Sequence, residues 1–412
     1  MAVRSRFRRE AAKLDLTFSQ EELAFRDEVR GFIRENLPAD IRAKAGRVPY
    51  FEKADVVTWH RILDARGWAA SHWPKEYGGP GWTAVQRYIF MEELLRVPTP
   101  EPLSFNINMV GPVIYTFGSE AQKAHFLPKI RSLDYWFCQG FSEPGAGSDL
   151  ASLRTTARRD GDEYVINGQK TWTSTAHVAD WMFCLVRTDP SAKKQEGISF
   201  VLIDMKTPGI TVRPIITIDG HHHTNEVFLD DVRVPLANRI GAENKGWDYA
   251  KFLLGNERTG IARVGLSQSR LTRAVELAGT STGHEPSLLQ DASFRKKIIE
   301  AEIELKALEI TAMRIIDRQR KRNDGHPDPA SSILKLRGAE TQQASAQLAL
   351  DAAGPLAAPA GGHFPAGASA IDSPFVDADG AASVYLSSRA ASIYGGASEV
   401  QKNIIAKTIL GL

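Results

Sequence analysis

Apolar positions from Phe18 onward recur near helical spacing: Phe18, Leu23, Phe25, Val29, Phe32 and Ile33 mark one face, and Ser19 ahead of Glu21 and Glu22 suits an N-terminal cap. The pattern predicts a helical N-terminal domain over residues 1–131. It is interrupted at Trp73-Pro74-Lys75-Glu76-Tyr77-Gly78-Gly79-Pro80-Gly81, where the Pro and Gly density demands a loop. The period then shortens. Tyr164-Val165-Ile166-Asn167-Gly168-Gln169-Lys170-Thr171-Trp172 reads as strand, Asn-Gly turn and strand, and Trp181 to Val186, Ile198 to Ile203 and Glu226 to Phe228 read as further strands. A middle β domain over 132–245 follows. From Trp247 helix returns, most clearly between Phe294 and Arg320, where Ile298, Ile299, Ile303, Leu308, Ile315 and Ile316 stud a charged sequence. This predicts a C-terminal four-helix bundle over 246–412, broken by an Ala/Gly/Pro-rich stretch from Ala352 to about Gly380. The fold class expected is a multidomain α+β protein, helix then β then helix, with no internal repeat.

Composition narrows the chemistry. With 412 residues, 43% hydrophobic, 24% charged and a net charge of +2, the chain has no global field suited to nucleic acid. No run reaches the ~18 apolar residues that a membrane span needs. Arg4, Arg6, Arg8 and Arg9 precede the first acidic residue without an apolar stretch behind them, which reads as a solvated basic arm and not as a targeting peptide. Two cysteines, Cys138 and Cys184, are too few for a disulfide framework and lack metal-site spacing. His221, His222 and His223 are consecutive, and consecutive side chains on an extended segment diverge, so a solvated or cofactor-facing loop is expected there in place of a metal site. The expectation is a cytoplasmic protein without nucleic acid, membrane or metal partners.

Three segments carry more specific chemistry. Phe141-Ser142-Glu143-Pro144-Gly145-Ala146-Gly147-Ser148-Asp149 offers a hydroxyl and closely approachable amides, able to hydrogen-bond the electron-rich edge of a flavin. A plain Gly-rich turn is the bland alternative, and a dinucleotide fingerprint is excluded because its third glycine and following helix are missing. The second segment is Trp172-Thr173-Ser174, and the third Thr224-Asn225-Glu226-Val227-Phe228-Leu229-Asp230-Asp231-Val232-Arg233-Val234-Pro235. Together with the helix, β, helix order, these resemble the acyl-CoA dehydrogenase family. The resemblance implies that Gln139, Phe141 and Ser142 line one side of a bound FAD, that Ser148 sits at the flavin edge and approaches the acyl-CoA substrate, and that Trp172, Thr173 and Ser174 cover the other side. Ser398 and Glu399 join the cofactor-binding set on the same basis.

The same resemblance exposes a missing residue. In Ile393-Tyr394-Gly395-Gly396-Ala397-Ser398-Glu399 the position of the family's usual catalytic glutamate is Gly395. The backbone N–H of Gly395 still offers an oxyanion contact, while Glu257, followed by Arg258, stands at the alternative base position found in isovaleryl-CoA and long-chain types, with Arg258 facing substrate. An exposed Glu paired with Arg258 or Arg263 is the competing reading. Two family residues that complete a neighbour's FAD site are altered as well: Asp291 stands where an Arg is usual, and Asp351-Ala352-Ala353-Gly354-Pro355 replaces a Gln-x-x-Gly-Gly segment. The pattern resembles the large, base-bearing subunits of bacterial heteromeric acyl-CoA dehydrogenases. It implies α,β-dehydrogenation of an acyl-CoA, electron-transfer flavoprotein as acceptor and a paralogous partner in a two-plus-two heterotetramer. An acyl-CoA oxidase or flavin monooxygenase on the same fold, and a non-catalytic subunit, are the alternatives.

Overall fold

The computed structural model describes residues 17–256, 262–279, 287–322, 328–357 and 380–412. The basic arm, Glu257, Arg258 and most of the Ala/Gly/Pro-rich stretch lie outside the described residues. The chain begins with α1 (Gln20–Asn36), α2 (Ala39–Lys44), α3 (Lys53–Ala65) and α4 (Ala84–Arg96), followed by a π-helical turn, Phe105–Val110, that runs into α5 (Gly111–Phe117), and by α6 (Glu120–Arg131). Ser19 caps α1 as its sequence demands: its side chain accepts from the Glu22 N–H, and the Glu22 carboxylate accepts from the Ser19 N–H at 2.8 Å. The apolar faces of α1, α3 and α4 meet in a core of Phe25, Val29, Ile33, Trp59, Leu63, Trp68, Phe90 and Leu94. The Trp73–Gly81 segment is a loop around one 3-10 turn, Lys75–Tyr77.

The middle of the chain is one eight-stranded sheet of β1 (Phe137–Gly140), β2 (Thr156–Asp160), β3 (Glu163–Lys170), β4 (Trp181–Arg187), β5 (Ile198–Asp204), β6 (Ile210–Ile216), β7 (His222–Pro235) and β8 (Arg239–Ile240). Strands run β6-β7-β3-β2-β4-β5-β8, with β1 beside β4 and parallel to it. One expectation fails. Asn167-Gly168 is no hairpin turn: β3 runs unbroken through it and pairs along its length with β7, with a register shift between Ile166 and Gly168. The Asn167 side chain is consumed there by Asp231, donating to its carboxylate at 3.0 Å and accepting from its N–H at 2.9 Å, which stabilises a bulge. The turn lies earlier, at Gly161-Asp162, where Asp160 pairs with Glu163 and Gly161 takes φ +61°.

Both sheet faces are buried. One packs through Phe183, Leu185, Phe200 and Leu202 on α5, α6 and α7 (Gly246–Asn256); the other holds Tyr164, Ile166, Met182, Val201 and Val232. Asn106, fully buried, ties the helices to the sheet: its amide donates to the carbonyls of Ile130 (3.2 Å) and Tyr135 (2.6 Å), and its Oδ1 accepts from the N–H of Phe137 at 3.0 Å. The start of β1 is thereby fixed. Beyond α7 come α8 (Val264–Gly279), α9 (Ala292–Arg322), α10 (Ser331–Ala353), α11 (Ala381–Ser387) and α12 (Ser398–Ile405), with α8, α9 and α10 sharing a core of Leu271, Leu277, Phe294, Leu305, Ile315 and Leu348. Among the described residues no helix is long and apolar enough to cross a membrane.

Candidate active site

β1 carries Gln139 to the edge of the site, half-buried, with its amide 3.8 Å from Met109 Sδ. Phe141, the next predicted residue, turns its ring into the core against Phe183 and Phe200, leaving its backbone as the part available to a cofactor. Ser142 is half-buried, and its carbonyl accepts the Thr171 N–H at 2.9 Å. That single bond holds the two segments expected to flank a flavin edge to edge. Ser148 is exposed further along the loop, next to Asp149, which pairs with Lys194.

The loop is held from below by a buried ion pair that the sequence reading did not single out. Lys170 Nζ, fully buried, donates to Glu143 Oε1 at 2.8 Å, to Leu185 O at 2.8 Å and to Phe141 O at 3.3 Å. Glu143 also accepts from the N–H groups of Arg154 (2.6 Å) and Thr155 (3.0 Å). Burial opposes ionisation of Glu143, but the Lys170 charge and these donors outweigh it and hold the carboxyl below the usual range. Glu143 therefore shapes the loop from inside and does not face a ligand.

Past Thr171 the chain is strained in a telling place. Trp172 takes φ +57°, a conformation a bulky residue rarely adopts, and leaves its ring 61% exposed. Thr173 is buried, with its N–H on Asn225 O at 2.9 Å, yet among the described residues its hydroxyl has no hydrogen-bond partner. An exposed aromatic face beside an orphaned buried hydroxyl is what a planar, heteroatom-rich ring requires, so the residues fit a flavin. Ser174, half-buried beside them, brings a second hydroxyl.

On the C-terminal side, Lys335 of α10 is buried and donates to Ala391 O at 2.9 Å, with its ammonium 4.7 Å from the centre of the Tyr394 ring. Gly395 and Gly396 both take left-handed conformations, φ +62° and +92°. A Cβ on Gly395 would approach nothing nearer than Lys335 Nζ at 3.7 Å, so the position has room for a side chain and carries none. Ser398 and Glu399 open α12, the first with its hydroxyl 3.4 Å from Ser392 O and the second exposed. The segment that carries the candidate base is entered from α7 and left at Ala262, whose carbonyl a Cβ on Gly338 of α10 would reach at 2.8 Å. Glu257 and Arg258 themselves lie outside the described residues.

Other sequence expectations change. The three histidines diverge, His222 exposed and the other two half-buried, and each has a partner: His221 Nε2 lies 3.0 Å from Ser383 Oγ, His222 stacks on His177 at 4.0 Å, and His223 stacks on Tyr50 at 3.9 Å. Burial and neighbouring histidines push His223 down to about 4. Among the described residues no group of His, Cys, Asp or Glu is placed to hold a metal ion. Asp291 accepts the Phe294 N–H at 2.9 Å, capping α9, and Asp351 accepts from Gln347 at 2.7 Å and faces Lys297 of α9 at 3.6 Å. Both carboxylates thus have structural partners within the chain.

The N-terminal, middle and C-terminal domains of acyl-CoA dehydrogenases match residues 19–134, 138–232 and 244–410. The chain belongs to the acyl-CoA dehydrogenase family. It is 35% identical over 403 residues to acyl-CoA dehydrogenase IpdE1 of Mycobacterium tuberculosis, covering 95% of this chain and 98% of that one. Among solved structures it is similar to the Tcur3481-Tcur3483 steroid ACAD (TM-score 0.82, 30% identity, 97% and 99% covered) and to the ChsE4-ChsE5 complex from Mycobacterium tuberculosis (TM-score 0.81, 31% identity, 97% and 99% covered). As an acyl-CoA dehydrogenase it is an FAD-binding oxidoreductase.

Proposed function

We propose that the chain oxidises an acyl-CoA thioester to the trans-2-enoyl-CoA, with Glu257 removing the α-proton, the Gly395 N–H receiving the thioester oxygen, and electron-transfer flavoprotein as the final acceptor. FAD, when bound, takes up the β-hydrogen as hydride. The observation that carries the reading is the position at Gly395, in a left-handed turn, which has room for a side chain and carries none. Gln139, Ser142, Thr173 and Ser174 would hold the cofactor by hydrogen bonds, Phe141 by its backbone, and Trp172 by its ring face. Ser148, Ser398 and Glu399 stand at the rim of the same site. An N–H aimed at the thioester oxygen stabilises charge as the enolate develops, and desolvating Glu257 raises its basicity; both lower the α-proton barrier. Arg258 would then meet the CoA-bearing end of the substrate.

The altered Asp291 and Asp351 positions support a second part of the reading. Both carboxylates are engaged inside this chain, and neither is suited to a neighbour's pyrophosphate, so the neighbour is a paralogous chain that completes one shared FAD site per unlike pair. The two similar structures are titled as two-component assemblies, in keeping with that. The test is Glu257→Gln in the purified assembly, with flavin content and anaerobic flavin bleaching by acyl-CoA read together. Retained flavin with bleaching slowed by about 10³-fold or more is expected for loss of a positioned base. Unchanged bleaching would make this a non-catalytic subunit. One flavin per chain without a partner would end the heteromer reading.

A further inference from the structure

Arg263 opens α8 at φ +49°, a left-handed conformation for a large L-residue, immediately after the candidate base segment. Its guanidinium pairs with Glu101, 162 residues away on the approach to the Phe105–Val110 turn. That turn contains Met109, which touches Gln139, so Glu101 sits at the head of the wall that carries the flavin-side residue. From the other direction, Arg263 lies within electrostatic reach of Tyr394, the neighbour of Gly395, and follows Ala262, which abuts Gly338 one turn beyond Lys335. The pair therefore joins the loop ahead of the Phe105–Val110 turn to the residues that follow the candidate base segment.

Its bonding is incomplete. Nη2 donates to Glu101, but Nε is shut off from solvent and has no acceptor among the described residues. A buried N–H without a partner is expensive, and a chain that only needed to close a pocket for a hydrocarbon tail would do so with an apolar side chain. Backbone strain and an orphaned donor at one residue mark a position shaped by what binds and not by folding alone.

We infer that Arg263, held by Glu101, is the specificity-determining residue of the acyl site and selects acyl groups that carry an acceptor oxygen remote from the thioester. This rests on the dehydrogenation reading above. The acceptor is a ketone or hydroxyl oxygen, or a second carboxylate; Glu101 shares the guanidinium charge in either case, and its repulsion of a carboxylate separates the two.

The experiment compares octanoyl-CoA, a keto-octanoyl-CoA with its carbonyl near the chain end, and suberoyl-CoA as reductants of the enzyme's flavin under anaerobic conditions. Wild type, Arg263→Met, Arg263→Lys and Glu101→Gln are each measured, with a thermal melt of each variant. Wild type is expected to favour an oxygenated substrate in kcat/KM by roughly ten- to hundredfold, the effect of leaving or filling one buried hydrogen-bonding group. R263M should erase that preference by lowering kcat/KM for the oxygenated substrates toward the value for octanoyl-CoA in the same variant, and R263K should restore part of it. E101Q should shift the preference toward suberoyl-CoA if a carboxylate is the natural acceptor and leave it with the ketone otherwise. Equal rates with all three substrates, or a preference that survives in R263M, would overturn the inference and leave the dehydrogenation reading standing. Flavin untouched by all three in the wild type would instead remove the reading on which it rests.

Discussion

Replacing Lys170 by Met tests whether the flavin loop is held by the buried ion pair beneath it. Met matches the length of the lysine stem but removes the ammonium, leaving the Glu143 carboxylate with only the Arg154 and Thr155 N–H groups and stripping the carbonyls of Phe141 and Leu185 of their donor. Lys170 is fully buried and Glu143 is 8% exposed, so water cannot replace what is lost. Breaking a buried pair from one side costs about 3–5 kcal/mol, far more than an exposed ion pair is worth. For a cooperative unit the size of the β domain this corresponds to a fall in Tm of order 10 °C. Because Phe141 and Ser142 lead directly into Glu143, flavin should dissociate from K170M well before the protein melts.

The assay is a thermal melt followed by circular dichroism, with flavin absorbance recorded on the same sample after gel filtration. Glu143→Leu in the K170M background removes the stranded charge and should recover part of the loss, though not all, since the Arg154 and Thr155 N–H groups lose their acceptor and the Phe141 and Leu185 carbonyls stay without the lysine donor. The pH dependence adds a sign. The Glu143 carboxyl is held below its ordinary range in the fold, so its contribution is present above the unfolded pKa of about 4.3 and is lost as pH falls through the folded value. Glu143→Gln should flatten that acid limb. A K170M protein that melts with the wild type and keeps its flavin would refute the reasoning at its root.

Trp172→Gly removes an exposed ring and a left-handed strain of about 1–2 kcal/mol, so the apoprotein should melt at or above the wild-type temperature while flavin affinity falls; equal flavin retention would deny Trp172 its cofactor role. Glu92 of α4 is pushed up to about 7, chiefly by burial, against an ordinary 4.5. Its protonated form is favoured in the fold, so its contribution is greatest below the ordinary value and is lost as pH rises through about 7, at most some 3 kcal/mol; Glu92→Gln should make urea midpoints between those pH values nearly constant. Gly168→Ala places a methyl 2.4 Å from Thr155 Oγ1 and 2.7 Å from the Thr155 Cα, and a loss of about 1–3 kcal/mol in urea unfolding is expected.

What could be read in the sequence followed how local the determining physics is. The Ser19 cap, the strands of the middle domain and the long α9 are set by residues within a turn or two of one another, and periodicity found them. Asn167-Gly168 failed for the opposite reason. The same dipeptide makes a turn when its neighbours are free and a bulge when a partner strand supplies Asp231, and the partner lies 64 residues away. The site divides along the same line. Ser142, Trp172 and Gly395 are candidates because a family resemblance carries spacing that no local rule contains. Lys170, buried and joined to Glu143, reads in the sequence as a strand residue and nothing more, since a lone lysine in a β run gives no sign that it will be enclosed. Arg263 reads in the sequence only as an ion-pair partner for Glu257, which lies outside the described residues, and the partner that the fold supplies is Glu101, from a loop that precedes the whole β domain. The residues that escaped are those whose meaning depends on a partner outside their own element, 27 residues away for Lys170 and 162 for Arg263.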